Sequence, residues 1–325
     1  MKAVPILLAV LGLLLATVMV GYFGLGDVLD TVTSIGWGGF ALLAVWQCGL
    51  FVVLGSAWDV IVPRERSASR PWSFVWARTV RDSGSNCLPF STMGGFVFGA
   101  RALTLHGASW PVATASTVVD VTAEFLAQIA FAWIGLAILV RRAPDSTLAV
   151  PLAIALAVAV AACAGFVWTQ RGAAPIVIRL GKRMAGEWFT ETGDRIDAFQ
   201  TELQHIYRRT RHVAAGASLH LIGWLCTGVA GWLAYRLLGS DIDVASVLAL
   251  EGLLNITLGA AFLIPAAAGV QEAAYAAIGA LFGLPPEMSL SVSLIRRAKD
   301  LAIGIPVLLF WQIIEMRRLR VAKQS

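Results

Sequence analysis

The sequence predicts an all-α polytopic membrane protein with six full transmembrane helices and two re-entrant broken hairpins. The chain of 325 residues is 58% hydrophobic and only 14% charged, whereas globular chains have about 45–50% apolar and about 25% charged residues. Several apolar stretches are about 20 residues long, which is enough to cross a ~30 Å hydrocarbon layer as helices. We therefore expect one integral membrane domain over residues 1–325.

Six stretches are predicted to be complete spans because each is apolar around most of its circumference, as a buried or lipid-facing helix must be. They cover about 4–23, 37–62, 112–140, 146–169, 214–238 and 286–316. The N-terminus has the general pattern of a signal peptide, but its apolar region is long and no A-x-A cleavage site precedes Asp27. We expect an uncleaved first span.

Lysine and arginine are concentrated after the second span, in the long segment 171–213 and in the C-terminal tail. Because cytoplasmic loops carry an excess of positive charge, both termini are predicted to be cytoplasmic. Arg141 and Arg142 oppose this bias, since they fall on the predicted outer side. The formal charge of +5 suits anionic lipid headgroups, and we expect no nucleic-acid partner.

The two remaining stretches, 72–106 and 244–283, are partly apolar but interrupted at mid-depth by proline and small residues. The breaks contain Pro89, Gly94 and Gly95 in the first stretch and Pro265 and Gly269 in the second. Such residues interrupt a helix and free backbone groups that only protein or water can satisfy at that depth. The pattern predicts two re-entrant hairpins, and one pair of kinked ordinary spans, giving eight spans in all, remains the alternative.

Segment 171–213 is too polar to cross the membrane. Ile196, Phe199, Leu203 and Ile206 recur at helical spacing between polar residues. This pattern predicts an amphipathic helix, either along the cytoplasmic membrane surface or packed on the protein's own loops.

The two broken stretches align at one constant offset, which suggests an internal repeat with halves at about 72–140 and 244–316. At an offset of 176 residues (265 − 89 = 176), the matched pairs are Pro89 with Pro265, Gly107 with Gly283, Asp120 with Arg296, and Glu124 with Asp300. Three predicted spans lie between the two hairpins, and an odd number inverts the second copy. Many transporters consist of inverted repeats with broken helices, and their substrate lies at the repeat interface.

Ionisable residues within the predicted spans are the strongest candidates for a functional site, because charges at membrane depth are costly. The candidates for a substrate-binding cavity are Asp120, Glu124, Glu251, Glu272, Arg296, Arg297 and Asp300. Asp120 and Glu124 share one helix face, since they are four residues apart. We expect the acidic and basic sets to meet, either as a headgroup pocket or as an ion-pair lock that only fixes helix register.

Some polar residues have a second explanation. Glu272 follows the second break, where a carboxylate stabilises a helix N-terminus by capping alone. Glu251 lies in the apolar run before that break and is expected to face a cavity. Arg78, Arg81 and Arg101 are predicted to form a polar mouth near the first hairpin, although cytoplasmic loop charge explains Arg78 and Arg81 equally well.

The sequence has no recognisable catalytic or metal-binding motif. There is no GxSxG elbow, Walker loop, HExxH or dinucleotide-binding turn. The four cysteines and four histidines lack metal-ligand spacing. We therefore expect no cofactor, no metal and no enzymatic activity.

One stretch resembles a known family. The residues are Ile264-Pro265-Ala-Ala-Ala-Gly269-Val-Gln-Glu272, then Leu281-Phe-Gly-Leu-Pro-Pro286, then Arg296-Arg297-Ala-Lys-Asp300 and Gly304-Ile-Pro306. They are similar to the lysylphosphatidylglycerol synthase transmembrane-region family, and most similar to its hopanoid-biosynthesis-associated branch. The first hairpin, from Leu88-Pro89 to Arg101, also matches the family pattern. The family usually has Pro-Gly-Gly and then an arginine before the glutamate, where this chain has Ala266, Ala267 and Gln271.

The resemblance implies a bacterial inner-membrane protein that moves lipid, since the family includes the flippase half of multiple peptide resistance factors. Membrane lipids, with hopanoids as candidates, would be the cargo, and hopanoid-synthesis or lipid-transport proteins would be the partners. Two alternatives stay open. One is a membrane-embedded enzyme acting on a polyprenyl or hopanoid lipid with Asp120, Glu124 or Glu272 as general base. The other is a non-catalytic scaffold for lipid synthesis.

Overall fold

The computed structural model describes residues 25–67, 69–87, 91–142, 149–172, 188–260 and 269–321. Over these residues the chain is all helical without strands, which confirms the predicted class. The ten helices are α1 (Leu25–Ile61), α2 (Pro71–Cys87), α3 (Ser91–Thr104), α4 (Trp110–Arg142), α5 (Ala149–Gly172), α6 (Trp188–Arg208), α7 (Thr210–Leu237), α8 (Val244–Ala260), α9 (Val270–Ala280) and α10 (Pro286–Val321). A short 3-10 helix, Arg64–Arg66, follows α1.

Within the described part of the chain, four helical stretches are long and apolar enough to cross a membrane. They are Thr33–Ile61, Trp110–Arg142, Val150–Trp168 and Thr210–Leu237. They correspond to four of the six predicted spans and confirm a multi-pass membrane protein. The predicted span 4–23 lies outside the described residues. The predicted span 286–316 corresponds to α10, which is 36 residues long but carries four charges near its middle, so the six-plus-two topology stays a prediction.

Helix α1 begins twelve residues before the predicted start of the second span. Gly36 interrupts it with φ 72° and ψ 156°, outside the helical region. Only glycine adopts such a conformation without strain. The helix is therefore kinked at Gly36, one residue before the predicted start of the second span.

The chain divides into two compact units. The first contains Met1–Gly49, Thr79–Gly99 and Gly228–Ser325, and the second contains Leu50–Arg78 and Ala100–Thr227. In the first unit, α9 packs against both α8 and α10. In the second unit, α4 packs against α5 and α6.

The apolar stripe of α6 is buried in the core of the second unit. Leu203 and Ile206 are almost fully buried against Ile61 of α1 and Val119 of α4. The stripe thus packs on the protein's own helices, rather than on its loops. Whether α6 also lies along the membrane surface stays a prediction.

The turns before α4 and α10 have the same backbone hydrogen bonds at the offset of the predicted repeat. Gly107 N donates to Thr104 O and Gly283 N donates to Ala280 O, and both glycines have positive φ, 99° and 74°. Ala108 N and Leu284 N donate to the carbonyls of Leu103 and Gly279, also 176 residues apart (279 − 103 = 176). This is a glycine-terminated helix end. The two copies share a local structure, while the repeat as a whole stays a prediction.

The predicted breaks do not all interrupt a helix. Gly94 and Gly95 lie inside α3, so their prediction as helix breaks is wrong. Gly95 permits α3 to pack closely against α2, because a Cβ at this position would lie 2.6 Å from the carbonyl oxygen of Arg81. Gly269, with φ 76°, is the N-cap of α9. Pro89 and Pro265 lie outside the described residues.

Candidate intramembrane polar site

Glu251 is the centre of a buried hydrogen-bonded network in the first unit. It lies on α8 and is only 1% exposed. Tyr275 Oη on α9 donates to Glu251 Oε1 at 2.7 Å, and Arg296 Nη1 on α10 donates to Glu251 Oε2 at 3.0 Å. Arg296 Nη1 also lies 3.3 Å from Tyr275 Oη. One carboxylate, one guanidinium and one hydroxyl therefore join the three helices around the second break.

Glu272 both caps a helix and pairs with an arginine. Its Oε2 accepts a hydrogen bond from Gly269 N at 2.9 Å, at the N-terminus of α9. Its Oε1 accepts one from Arg297 Nη2 at 3.0 Å, and Arg297 is buried. The capping expected from the sequence is therefore present, and the same carboxylate also pairs with Arg297. Adjacent arginines on α10 are paired with carboxylates of different helices, Arg296 with α8 and Arg297 with α9.

Polar contacts continue along α10 on both sides of the arginines. Towards its N-terminus, Ser293 Oγ accepts a hydrogen bond from Gln271 Nε2 at 2.9 Å. In the other direction, Lys299 Nζ donates to Gln47 Oε1 at 2.6 Å and lies 3.4 Å from Asp300 Oδ1. Ser289, near the start of the helix, is fully buried beside Tyr235 Oη. From Ser289 to Asp300, at about 1.5 Å per residue, this polar face extends ~16 Å.

The second unit contains a separate charged cluster around α4. Arg78 on α2 donates two hydrogen bonds to Glu124, at 2.9 and 2.6 Å, in the bidentate geometry that is strongest for this pair. Arg78 Nη1 also lies 3.7 Å from Asp120 Oδ2. Asp120 Oδ1 is 2.9 Å from His220 Nε2 on α7, and both side chains are fully buried. Asp120 and Glu124 therefore form a cluster with Arg78 and His220.

The two clusters have the same plan with opposite charge. In each, the first helix of a broken pair is bonded to the long helix that follows the glycine turn. Arg78 on α2 pairs with Glu124 on α4, whereas Glu251 on α8 pairs with Arg296 on α10. The predicted meeting of Asp120 and Glu124 with the α10 arginines stays a prediction.

The other candidate residues also have defined positions. Arg78 and Arg81 are buried on helix α2, so they are not loop charges. The guanidinium of Arg81 lies 4.9 Å from the ring centroid of Phe96, a cation–π distance. Arg101 is half-buried in the last turn of α3.

Three members of these clusters were not identified as candidates from the sequence: Gln47, His220 and Tyr275. Each is a polar residue within an apolar stretch, and this position is the feature of the sequence that identifies it as a possible site residue. Burying an uncharged polar side chain at membrane depth costs less free energy than burying a charge, so such a residue is weaker evidence for a functional site. Among the described residues, no group of three histidine, cysteine or acidic side chains could hold a metal ion.

The family model for the lysylphosphatidylglycerol synthase TM region matches residues 6–307. The chain belongs to this family. The match includes every charged residue of both clusters, so the polar sites are part of the family domain and not of an appended segment. No curated protein and no solved structure matches the chain. Membership of this family is consistent with a lipid-related function in the membrane.

Proposed function

We propose that this protein moves a lipid between the leaflets of the bacterial inner membrane. The headgroup would be held at the polar face of α10 while the acyl chains remain in the bilayer. The proposal depends above all on one observation, the polar face from Ser289 to Asp300, in which Arg297 is buried and Arg296 is paired with the buried Glu251. Its ~16 Å length is about half of a ~30 Å hydrocarbon layer.

Ion pairs suit this function because they can exchange partners. A buried ion pair contributes little net stability, since desolvation offsets the attraction between the charges. Apolar side chains would join α8, α9 and α10 at least as well if the only requirement were stability. A pair that opens can offer its guanidinium to an anionic headgroup and its carboxylate to a cationic one. Polar residues within membrane proteins commonly mark such paths.

Family membership supports a lipid as the cargo. We propose a hopanoid or a related lipid, on the resemblance of residues 264–306 to the hopanoid-associated branch. Hopanoid-synthesis or lipid-transport proteins are the proposed partners, and both termini are proposed to be cytoplasmic. The matching turns at Gly107 and Gly283 support an inverted repeat of the kind found in transporters.

The test is a leaflet-exchange assay with the purified protein in vesicles that contain a labelled lipid. We expect Arg297→Ala and Glu124→Ala to lose exchange activity. Arg236→Ala is the matched control, because Arg236 pairs at the surface with Asp241, which is 98% exposed. Equal rates for the wild type, both variants and empty vesicles would reject the proposal. Loss of activity in the control as well would point to a general folding defect.

A further inference from the structure

His220 is a fully buried histidine within the apolar helix α7. Its Nε2 lies 2.9 Å from Asp120 Oδ1. A carboxylate only accepts hydrogen bonds, so Nε2 carries the proton of the neutral ring and Nδ1 carries the lone pair. Asp120 therefore fixes both the tautomer and the orientation of the imidazole.

The other ring nitrogen has no hydrogen-bond partner among the described residues. His220 Nδ1 is buried, and so is Trp224 Nε1, one turn further along α7, which is likewise without a partner in the described part of the chain. Buried polar atoms are rarely left unpaired, and exceptions call for an explanation. The indole of Trp224 is held by stacking on Phe131, at 6.3 Å between ring centroids. One helix face thus presents a proton acceptor and a proton donor together, a combination that suits a water molecule.

In the described part of the chain, two helices supply charged groups around His220. Helix α4 contributes Asp120, which contacts His220, and α2 contributes Arg78, which contacts Asp120 and pairs with Glu124 of α4. Helix α1 contacts α7 through apolar side chains, with Leu54 against Gly223 and Ile61 against Gly216. Asp120 therefore has His220 on one oxygen and Arg78 beside the other. A positive charge on His220 therefore weakens the attraction between Asp120 and Arg78, and the charge of Arg78 weakens the attraction between Asp120 and His220.

We propose that His220 binds a proton at Nδ1 and that this proton controls the Arg78 ion pairs. The inference rests on the proposed lipid-translocation function, which it makes dependent on proton binding. The Nδ1 lone pair accepts a proton from a water-borne hydronium, which leaves as water, and the ring becomes an imidazolium. Its Nε2–H then binds Asp120 more strongly, and Asp120 attracts Arg78 less. Release of the proton from Nδ1 restores the original tautomer, so no other bond changes.

Nuclear magnetic resonance of the full-length protein in lipid nanodiscs, with ¹⁵N-labelled histidine, tests proton binding directly. The chain has four histidines, and His220→Gln identifies the signal of His220 by its loss. We expect this signal to change reversibly from the Nε2–H tautomer to the imidazolium as the pH is lowered from mildly alkaline to mildly acidic values. A signal that keeps one form throughout this range would overturn the inference, whatever the protein transports.

The pH dependence of lipid exchange tests the coupling. A step that needs one bound proton changes by at most about tenfold per pH unit. We expect this slope for the wild type and none for His220→Gln. Asp120→Asn should change this profile, because it removes the carboxylate that contacts Nε2 of His220. His212→Gln is the matched control, since His212 is exposed on the same helix.

The two proposals fail in different ways. If the wild-type protein does not exchange lipid at any pH, the translocation function is wrong, while the resonance measurement still decides whether His220 binds a proton. If lipid exchange occurs and His220→Gln keeps the wild-type pH profile, the coupling is wrong. If His220→Gln does not fold, the pH profile of lipid exchange by Asp120→Asn decides. A profile equal to that of the wild type would then overturn the coupling.

Discussion

Exchanging the charges of Glu251 and Arg296 separates a structural ion pair from a binding site. The two side chains are 3.0 Å apart in one network, with 2% of the Glu251 side chain and 24% of the Arg296 side chain exposed. The double variant Glu251→Arg with Arg296→Glu keeps one positive and one negative charge but places them on opposite helices. A lock between α8 and α10 should tolerate this exchange, whereas a headgroup site should not.

The single variant Glu251→Gln gives the expected loss of unfolding free energy when the pair is broken. Glu251→Gln leaves the Arg296 guanidinium without its carboxylate, and removing one partner of a buried pair typically costs about 3–5 kcal/mol. Because Arg296 keeps some contact with solvent, we expect the lower end, about 3 kcal/mol of unfolding free energy. Contacting residues show coupling energies of about 0.5–3 kcal/mol, so the charge-exchanged pair should recover a measurable part of the loss.

Two measurements on each variant complete the test. Reversible unfolding by SDS in mixed micelles gives the unfolding free energy, and leaflet exchange in vesicles gives the activity. We expect the double variant to recover stability relative to Glu251→Gln but to stay inactive, since the guanidinium no longer lies beside Arg297 on α10. Recovery of both stability and activity would refute a headgroup role and leave Arg296 as a lock.

Three further substitutions probe the fold, each measured by SDS unfolding. Leu203→Ala should cost about 2–5 kcal/mol, because it leaves a cavity beside Ile206 in the core of the second unit. Gly55→Ala should cost about 1–3 kcal/mol, because the new Cβ would overlap the backbone of Val75. Gly283→Ala should cost about 1–2 kcal/mol, because φ is 74° at this turn.

Each of these substitutions has a matched control. Gly165→Ala adds a Cβ in a helix where no other atom lies within 4 Å, so it should be close to neutral. Leu309→Ala truncates a leucine that is 50% exposed, and it should cost much less than Leu203→Ala. If Gly55→Ala were as well tolerated as Gly165→Ala, the close approach of α1 and α2 would be wrong.

The sequence predicts spans well because apolar length is a local property. The stretches 112–140 and 214–238 agree with α4 and α7 to within four residues at each end. Glycine is more ambiguous, because it permits both broken helices and close packing. Gly269 is at a helix end, as predicted, whereas Gly95 lies inside α3 where another backbone passes nearby. Nothing local to the sequence distinguishes these two uses.

Charged candidates could be selected from the sequence but their partners could not. Burying a charge at membrane depth costs free energy unless the charge is paired. The positions of Asp120, Glu251 and Arg296 in apolar stretches are therefore enough to make them candidate site residues. Which charge pairs with which depends on the rotation of each helix about its axis, which core packing determines. In the structure, Glu251 supplies the carboxylate for Arg296 and Glu272 supplies the carboxylate for Arg297.

The opposite charge order of the two clusters has a mechanical consequence. In the first unit the arginine is on the long helix and its carboxylate is on the short one, and in the second unit the positions are reversed. If the pair of the first unit opened, the short helix α8 would carry the free carboxylate of Glu251 and the long helix α10 would carry the free guanidinium of Arg296. If the pair of the second unit opened, the guanidinium of Arg78 would instead be on the short helix α2. An anionic ligand would therefore pair with a long helix in the first unit and with a short helix in the second.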